Sequence, residues 1–158
     1  MKFEKISNEV WLEETDNLVP YDRVILPTRG TKHSAGYDFY STTEVWIKPG
    51  EECLIPTGIK FECDPDKFLM IVPRSGLGFK YGTMLANSVG VIDADYYNNP
   101  HNEGHIWVKL TIPNNKWSKE VHIHAGDRIC QGIIVPYFTT EDDTANTTRE
   151  GGFGSTDK

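Results

Sequence analysis

Hydrophobic and polar positions along this chain recur in short runs, and a helical period is almost absent. The runs are rich in β-branched and aromatic residues, and Pro, Gly, Asn and Asp separate them, as is typical of strands and turns. Turn signals include Lys48-Pro49-Gly50, Asp64-Pro65-Asp66 and Ala125-Gly126-Asp127. Many short strands with regular turns predict an all-β sandwich or barrel.

One short helix or helical turn is predicted after Gly76, and an apolar stretch, Val89–Ile92, is predicted to enter a turn at Asp93. The other predicted strands are Arg23–Leu26, Tyr37–Ser41, Glu44–Ile47, Glu52–Ile55, Ile59–Glu62, Phe68–Val72, His105–Ile112, Glu120–His124 and Arg128–Phe138. Residues 1–138 are expected to form one domain, since 158 residues suffice to bury a core. Residues 139–158 are polar and acidic and then glycine-rich, which predicts a mobile arm.

Charge and cysteine content narrow the class of protein. A net charge of −7 argues against polymeric nucleic acid or an anionic membrane as partner, because both reward basic surfaces. A single nucleotide stays compatible with this charge, since a few arginines in a cleft can hold a triphosphate. Three cysteines, none in a CxxC pattern, and no apolar signal segment in MKFEKISNEVW predict a reduced, cytoplasmic setting.

Two segments before residue 83 carry candidate chemistry. In AGYDFYS (Ala35–Ser41), Asp38 lies among aromatic residues in a predicted strand. In PRSGLGFKYG (Pro73–Gly82), Arg74, Ser75 and glycine backbone N–H groups suit an anion site. For the first segment, the structural alternative is an Asp whose hydrogen bonds are satisfied within an ordinary strand. For the second, it is a surface turn that happens to contain an Arg.

The segment NSVGVIDADY (Asn87–Tyr96) is the most informative of all. A carboxylate held against an apolar wall stays basic enough to take a proton from water, which makes Asp93 a candidate general base. Asn87 can donate and accept at once, as recognition of a pyrimidine edge requires. The alternative is a hairpin whose aspartates are solvated turn residues, and Asp95 is expected to be a turn or interface residue.

Two later segments complete the candidates. GDRICQGIIVPY (Gly126–Tyr137) places Gln131 within an apolar run, where its amide needs a partner: a phosphate, a water or a backbone group. In the arm, Arg149 can pair with a phosphate and Phe153 can stack on a flat base. A frayed terminus is the alternative for the arm.

Two histidine patterns are assigned no function. HNEGH (His101–His105) lacks the residue order and the helix of a zinc-protease motif. HIH (His122–His124) places two rings on one strand face; a metal pair is open, but two surface or core histidines are favoured over it.

In this order, the five segments resemble the five motifs of the homotrimeric deoxyuridine triphosphatase (dUTPase) family, in the form found in Gram-positive bacteria and their phages. Its five motifs are matched by AGYDFYS, PRSGLGFKYG, NSVGVIDADYY, GDRICQ and REGGFGST, and the insertion YYNNPHNEGHI is also shared. The resemblance implies a β-barrel or jelly-roll subunit with a flexible C-terminal arm. It also implies a trimer, in which the arm closes the active site of a neighbouring subunit.

The same resemblance implies hydrolysis of dUTP to dUMP and pyrophosphate, which limits uracil incorporation into DNA and supplies dUMP for thymidylate synthesis. Asp93 would activate the water that attacks the α-phosphorus. Mg²⁺ would be held by the triphosphate and waters, with Asp38 supporting its water shell or the polar network of the site. The implied substrate-binding positions are Arg74, Ser75, Gly76, Asn87, Val91, Ile92, Tyr96, Gln131, Arg149, Phe153, Gly154 and Ser155.

Each implied binding position has an expected role. Asn87 and the backbone of Val91–Asp93 would read the uracil edge, and Tyr96 would pack under the deoxyribose. Arg74, Ser75, Gly76 and Gln131 would hold phosphates. In the arm, Arg149 would reach the γ-phosphate and Phe153 would stack on uracil.

Two other functions stay open at this point. A dCTP deaminase shares the fold, but would need a glutamate base where this chain has Asp93. A nucleotide-sensing regulator that binds a partner protein is the alternative from a different class, and a phage origin would suit such a partner as an added role.

Overall fold

Short antiparallel strands are the main regular elements of the computed structural model, which describes residues 1–146. The strands are β1 (Lys2–Lys5), β2 (Thr28–Arg29), β3 (Tyr37–Tyr40), β4 (Val45–Ile47), β5 (Glu52–Pro56), β6 (Ile59–Glu62), β7 (Lys67–Pro73), β8 (Met84–Leu85), β9 (Gly90–Ile92), β10 (Trp107–Thr111), β11 (Val121–Ile123) and β12 (Arg128–Pro136). The helices are α1 (Asn8–Glu14), α2 (Ser75–Tyr81) and the 3-10 helices Tyr21–Arg23 and Ala94–Tyr96.

The strands form four sheets around one hydrophobic core. The largest has the order β2-β3-β12-β7-β9, a second has the order β5-β10-β8, and β1-β6 and β11-β4 are two-stranded. Neighbouring strands are antiparallel throughout these sheets. The predicted all-β class is confirmed, and no helix among residues 1–146 has the length and apolar character to span a bilayer.

Strand β12 lies at the centre of the largest sheet, between β3 and β7. Its Gly132 cannot be replaced without disturbance, because a Cβ there would lie 2.8 Å from the Phe39 ring and 2.9 Å from Leu69 Cδ1. The three strands therefore pack closely, which fixes the relative positions of the side chains at their ends.

Helix α1 has no counterpart among the predicted elements. Ser7 caps it, since its Oγ accepts a hydrogen bond from the backbone N–H of Val10 at 3.2 Å. Only Trp11 of its seven residues is buried, and the Trp11 indole donates to the carbonyl of Val19 at 2.7 Å. One buried residue in two turns produces no apolar periodicity, so the pattern could not reveal this helix.

The predicted strand Arg23–Leu26 is wrong. The 3-10 helix Tyr21–Arg23 begins after Pro20, and residues 24–27 form no strand. Val24 is buried, whereas Ile25 and Leu26 are about two-fifths exposed, so the apolar run does not alternate between two faces.

The remaining strand predictions are confirmed, with ends that differ by up to two residues; Arg128–Phe138, for example, ends as a strand at Pro136. The helix predicted after Gly76 is α2, which begins at Ser75 and ends at Tyr81, before Gly82, where φ is +77°.

Candidate active site

Three of the predicted segments meet at the buried carboxylate of Asp38. In the sheet, Gln131 of β12 lies opposite Asp38 of β3. The Gln131 amide donates to Asp38 Oδ1 at 3.0 Å, and Arg74 Nε donates to the same oxygen at 3.4 Å. Arg128 Nη1 donates to Asp38 Oδ2 at 3.3 Å. These four residues are called the Asp38 cluster below.

The Asp38 cluster retains one positive charge, because one carboxylate faces two guanidinium groups. The Asp38 side chain is 5% exposed, but Arg74 and Arg128 are 27% and 46% exposed. Ser75 and Gly76 follow Arg74 at the surface. The arrangement suits an anion, since guanidinium groups fixed by a carboxylate have unused N–H donors that face solvent.

The structure adds Arg128 to the cluster, although no role for this residue was expected from its segment. The pairing register of β12 with β3 shifts between Arg128 and Cys130. In a regular strand, residues 128 and 131 would point to opposite faces of the sheet. The irregularity instead brings Arg128 and Gln131 to the same carboxylate, and no sequence pattern signals it.

The segment NSVGVIDADY forms a strand that enters a turn, as predicted. Asn87 is exposed after β8, and Ser88 adopts φ +63° in the turn that leads to β9. Strand β9 pairs with β7, with Ile92 buried opposite Leu69. Asp93 follows β9 directly and is partly buried at the start of the 3-10 helix.

A cavity of about 550 Å³ opens beside this segment. Its walls are mostly apolar, and its polar groups include Asn87, Asn102 and Glu14. The lining residues are Glu14, Leu54, Ile71, Leu85, Ala86, Asn87, Gly90, Ile92, Asn102, Trp107, Val108 and Lys109. An apolar cavity with a few polar side chains is typical of small-molecule sites.

Tyr96 is buried, with 2% exposure, and its hydroxyl is held from two sides. It donates to the carbonyl of His105 at 2.9 Å and accepts from Asn102 Nδ2 at 3.1 Å. Asn99 Nδ2 donates to the Tyr96 carbonyl at 3.0 Å. Gly104 comes so close that a Cβ would lie 2.5 Å from the same carbonyl oxygen. Residues of the insertion therefore fix the position of the tyrosine.

Helix α1 supports the insertion through Glu14. The Glu14 carboxylate lies 3.1 Å from His105 Nδ1 and accepts from the Trp107 indole at 2.8 Å. The backbone N–H of Gly58 donates to His105 Nε2 at 2.8 Å, so the proton of the neutral ring is assigned to Nδ1. Burial lowers the pKa of His105, and the hydrogen bond from His105 lowers the pKa of Glu14. Sequence reasoning did not assign a role to any of these residues.

The Asp38 cluster and Asp93 lie at opposite ends of β7 in one chain. Ile92 is opposite Leu69, whereas Arg74 follows the last residue of the strand, Pro73. Five residues of strand span about 17 Å. Arg74 also points away from β9, toward Asp38 on the far side of β12. One chain thus brings Asp38, Arg74 and Gln131 together, but not Asp93 with them.

Comparison with known proteins agrees with the family resemblance of these segments. The dUTPase family model matches residues 22–157. The chain belongs to the dUTPase family. It is 44% identical over 133 residues to the deoxyuridine 5'-triphosphate nucleotidohydrolase of Lactococcus lactis, covering 83% of this chain and 87% of that protein. It is 42% identical to the corresponding protein of Actinobacillus pleuropneumoniae, covering 84% and 87%.

Solved dUTPases share the fold. The crystal structure of the Streptococcus mutans dUTPase has a TM-score of 0.70 and 35% identity, covering 89% of this chain and 99% of that one. The dUTPase of staphylococcal phage 80alpha has a TM-score of 0.65 at 21% identity, covering 94% and 97%. At that identity the phage likeness shows the fold alone.

The fifth dUTPase-like segment lies outside the described residues. Arg149, Phe153, Gly154 and Ser155 all fall within residues 147–158, and so does most of the predicted arm. Residues 139–146 are described and exposed. The roles of the arm stay predictions.

Proposed function

We propose that the chain hydrolyses dUTP to dUMP and pyrophosphate, with Asp93 as the general base for water that attacks the α-phosphorus. Membership of the dUTPase family, with Asp93 placed directly after the buried Ile92 that ends β9, carries this proposal. A positioned base contributes about 10²–10⁴-fold to such a rate, so charge stabilisation at the phosphates must supply much of the rest.

Uracil and deoxyribose are assigned to the cavity beside β9. Asn87 and the backbone of Val91, Ile92 and Asp93 would read the uracil edge, because an amide and backbone groups supply both donors and acceptors. Tyr96 would lie under the deoxyribose and exclude a ribose 2′-hydroxyl. Family membership carries this role, since the Tyr96 ring is 2% exposed in one chain and does not line the cavity.

The triphosphate is assigned to the Asp38 cluster with Ser75 and Gly76. Both oxygens of Asp38 accept hydrogen bonds from Arg74, Arg128 and Gln131. This carboxylate is therefore a poor direct ligand for Mg²⁺, and it fits the polar-network role. Mg²⁺, when bound with the nucleotide, would neutralise phosphate charge and be held by phosphate oxygens and waters. A structural Mg(II) ion is described for the dUTPase of phage phi11.

More than one chain is needed for a complete site, because Asp93 and Arg74 lie about 17 Å or more apart along β7. We propose a homotrimer in which Asp93 of one chain faces the Asp38 cluster of another. Arg149 and Phe153 of an arm, with Gly154 and Ser155, would close the site over the γ-phosphate and uracil. The cellular role would be to limit uracil in DNA and supply dUMP in the cytoplasm.

Replacement of Asp93 by Asn tests the base directly. The amide keeps the size of the side chain but cannot take a proton, so dUTP binding should persist while turnover falls by about 10²-fold or more. Pyrophosphate release would be measured with dUTP, dCTP, dTTP and UTP, with Mg²⁺ and with EDTA, beside calorimetric binding of a non-hydrolysable dUTP analogue. An active Asn variant would refute the base assignment, and deamination of dCTP by the wild type would refute the substrate.

A further inference from the structure

Two histidines and a glutamate converge at the two-stranded β11-β4 sheet, and none of the three is assigned to dUTP. His122 of β11 lies opposite Trp46 of β4, and His124 follows the end of β11. Glu44 precedes β4. His122 Nε2 lies 2.8 Å from Glu44 Oε1, and His124 Nδ1 lies 3.9 Å from the same oxygen. These three residues are called the histidine cluster.

The spacing of the three side chains fits one metal ion. One ligand atom from each residue lies within 4.8 Å of the other two. Tetrahedral ligands at the zinc distance of about 2.0–2.1 Å are about 3.3 Å from one another. The contacts of 2.8 and 3.9 Å to Glu44 Oε1 bracket that value, and a ring nitrogen of each histidine lies within 4.8 Å of one on the other.

A surface hydrogen bond explains only part of this arrangement. It accounts for the 2.8 Å contact of His122 with Glu44, but the 3.9 Å separation at His124 is too long for a hydrogen bond. The sequence pattern favoured two surface or core histidines over a metal pair. Glu44 is 78 residues away from His122, and only the fold brings this third ligand to them.

The cluster is also partly ordered before any ion binds. The His122 ring stacks on Trp46 with centroids 4.0 Å apart and planes 9° apart, and the His124 ring lies 3.9 Å away on centroids. The backbone N–H of His124 donates to Asp127 Oδ2 at 2.8 Å. Side chains ordered in advance lose less entropy on binding, which favours affinity.

We propose that the histidine cluster is a binding site for a divalent transition-metal ion, with Zn²⁺ as the ion of choice. Imidazole nitrogen suits Zn²⁺, Cu²⁺ and Ni²⁺, whereas Mg²⁺ prefers oxygen ligands, so the site is chemically distinct from a nucleotide-bound Mg²⁺. His122 Nε2, His124 Nδ1 and one Glu44 oxygen are the ligands, and water fills the fourth position. The bound ion links β4 to the end of β11 and stabilises that sheet.

Calorimetric titration of the full, chelator-treated chain with Zn²⁺ tests the site. The wild type should bind one more equivalent of Zn²⁺ than His122→Phe or His124→Ala, or should bind that equivalent with at least about tenfold higher affinity. The reason is that loss of even a residue that only supports a metal ligand lowers metal affinity by about tenfold. His122→Phe keeps a ring against Trp46, and His124 is exposed, so both variants should fold. Glu44→Gln should also weaken binding.

The matched controls are His33→Ala and His101→Ala, which remove exposed histidines elsewhere. Zn²⁺ binding should be unchanged in both controls, and excess Mg²⁺ should not compete with Zn²⁺. Added Zn²⁺ should raise the thermal midpoint of the wild type and of the two controls, but not that of the cluster variants. Wild-type affinity and stoichiometry in His124→Ala, or an equal loss in His33→Ala or His101→Ala, would overturn the proposal. Circular dichroism in EDTA checks that each variant is folded.

Discussion

At the scale of single residues, Asp38 explains why its segment carries an acid among aromatic residues. Its carboxylate is buried, and such a charge is tolerated only when it is paired and hydrogen-bonded. Arg74, Arg128 and Gln131 supply those bonds from two other parts of the chain. The same bonds hold the groups that would meet phosphate, so one acid orients three donors.

Gly36→Ala is expected to impair catalysis through Gln131 alone. A Cβ at Gly36 would lie 3.1–3.2 Å from three atoms of the Gln131 side chain, which must move and weaken its bond to Asp38. A hydrogen bond contributes about 0.5–1.5 kcal/mol, so kcat/KM for dUTP should fall by about 2- to 10-fold. Pyrophosphate release measures this.

Gly30→Ala is the matched control, because its Cβ would lie at an ordinary 3.9 Å from Asp38 Oδ2. It should retain wild-type kinetics. Equal activity of the two variants would contradict a role for the Gln131 position.

The sequence could predict the residues whose roles follow from local pattern. Asp38, Arg74 and Gln131 were identified from their segments, and the strand and turn around Asp93 follow from its apolar run. Arg128 could not be assigned to the same site, because its orientation depends on an irregularity in β12. Nor could the anchoring of Tyr96, which depends on side chains brought close by tertiary packing.

At the scale of elements, α1 and the insertion form one support for the 3-10 helix that follows Asp93. Glu14 ends α1 and contacts His105, while the carbonyl of His105 accepts from Tyr96. Neither element has an apolar repeat, so the sequence predicted neither the helix nor its contact with the insertion. Their polar contacts are specific and buried, which makes them sensitive to protonation.

Acid should weaken this support through His105. Its pKa is lowered in the folded state by burial, from an ordinary value of 6.5. The unfolded chain therefore binds more protons, and the stability contributed by neutral His105 is present above pH 6.5 and lost as pH falls below it. The free energy of unfolding, from urea titrations between about pH 7.5 and 5.5, should decrease.

His105→Gln should be less stable at pH 7.5 and should show a flatter dependence on pH over that interval. His101→Ala, which removes an exposed histidine, should keep the wild-type slope. A wild-type slope in His105→Gln would show that other groups cause the effect. The Glu14 carboxylate, whose pKa is lowered from 4.5, should add its own loss only in stronger acid.

At the scale of the whole molecule, β7 separates the two halves of the proposed site. The strand pairs with β12 along its whole length and with β9 at Leu69–Ile71, and the antiparallel register leads the chain from β9 to Asp93 at the end of β7 away from Arg74. Because the distance between Asp93 and Arg74 is set by a strand paired on both sides, closure of a loop within one chain cannot remove it. Assembly is therefore the step that would create the catalytic centre.

Mixed oligomers of two inactive variants test this directly. Arg74→Ala and Asp93→Asn, co-expressed in equal amounts, should regain about a quarter of wild-type activity. In random assembly, about half of the sites receive an intact Asp93, and about half of those receive an intact Arg74 from the other chain. Each variant alone should be inactive. Absence of recovery in mixed trimers confirmed by mass spectrometry would mean that both residues act within one chain.

Deletion of residues 147–158 is expected to lower dUTP turnover far more than stability. The deleted segment contains Arg149 and Phe153, whereas the truncated chain keeps every core residue described within residues 1–146. Turnover should fall by about tenfold or more if closure excludes water, while the thermal midpoint stays near that of the full chain. Unchanged turnover of the truncated chain would refute closure by the arm.

The length of β7 also has a genetic consequence. If each site takes Asp93 from one copy and Arg74 from another, a chain defective at both residues inactivates two sites of every trimer it joins, because it supplies the base to one site and the phosphate-binding arginine to another. A folded but inactive allele would then be dominant over the wild type, and more harmful to a cell than complete loss of one gene copy.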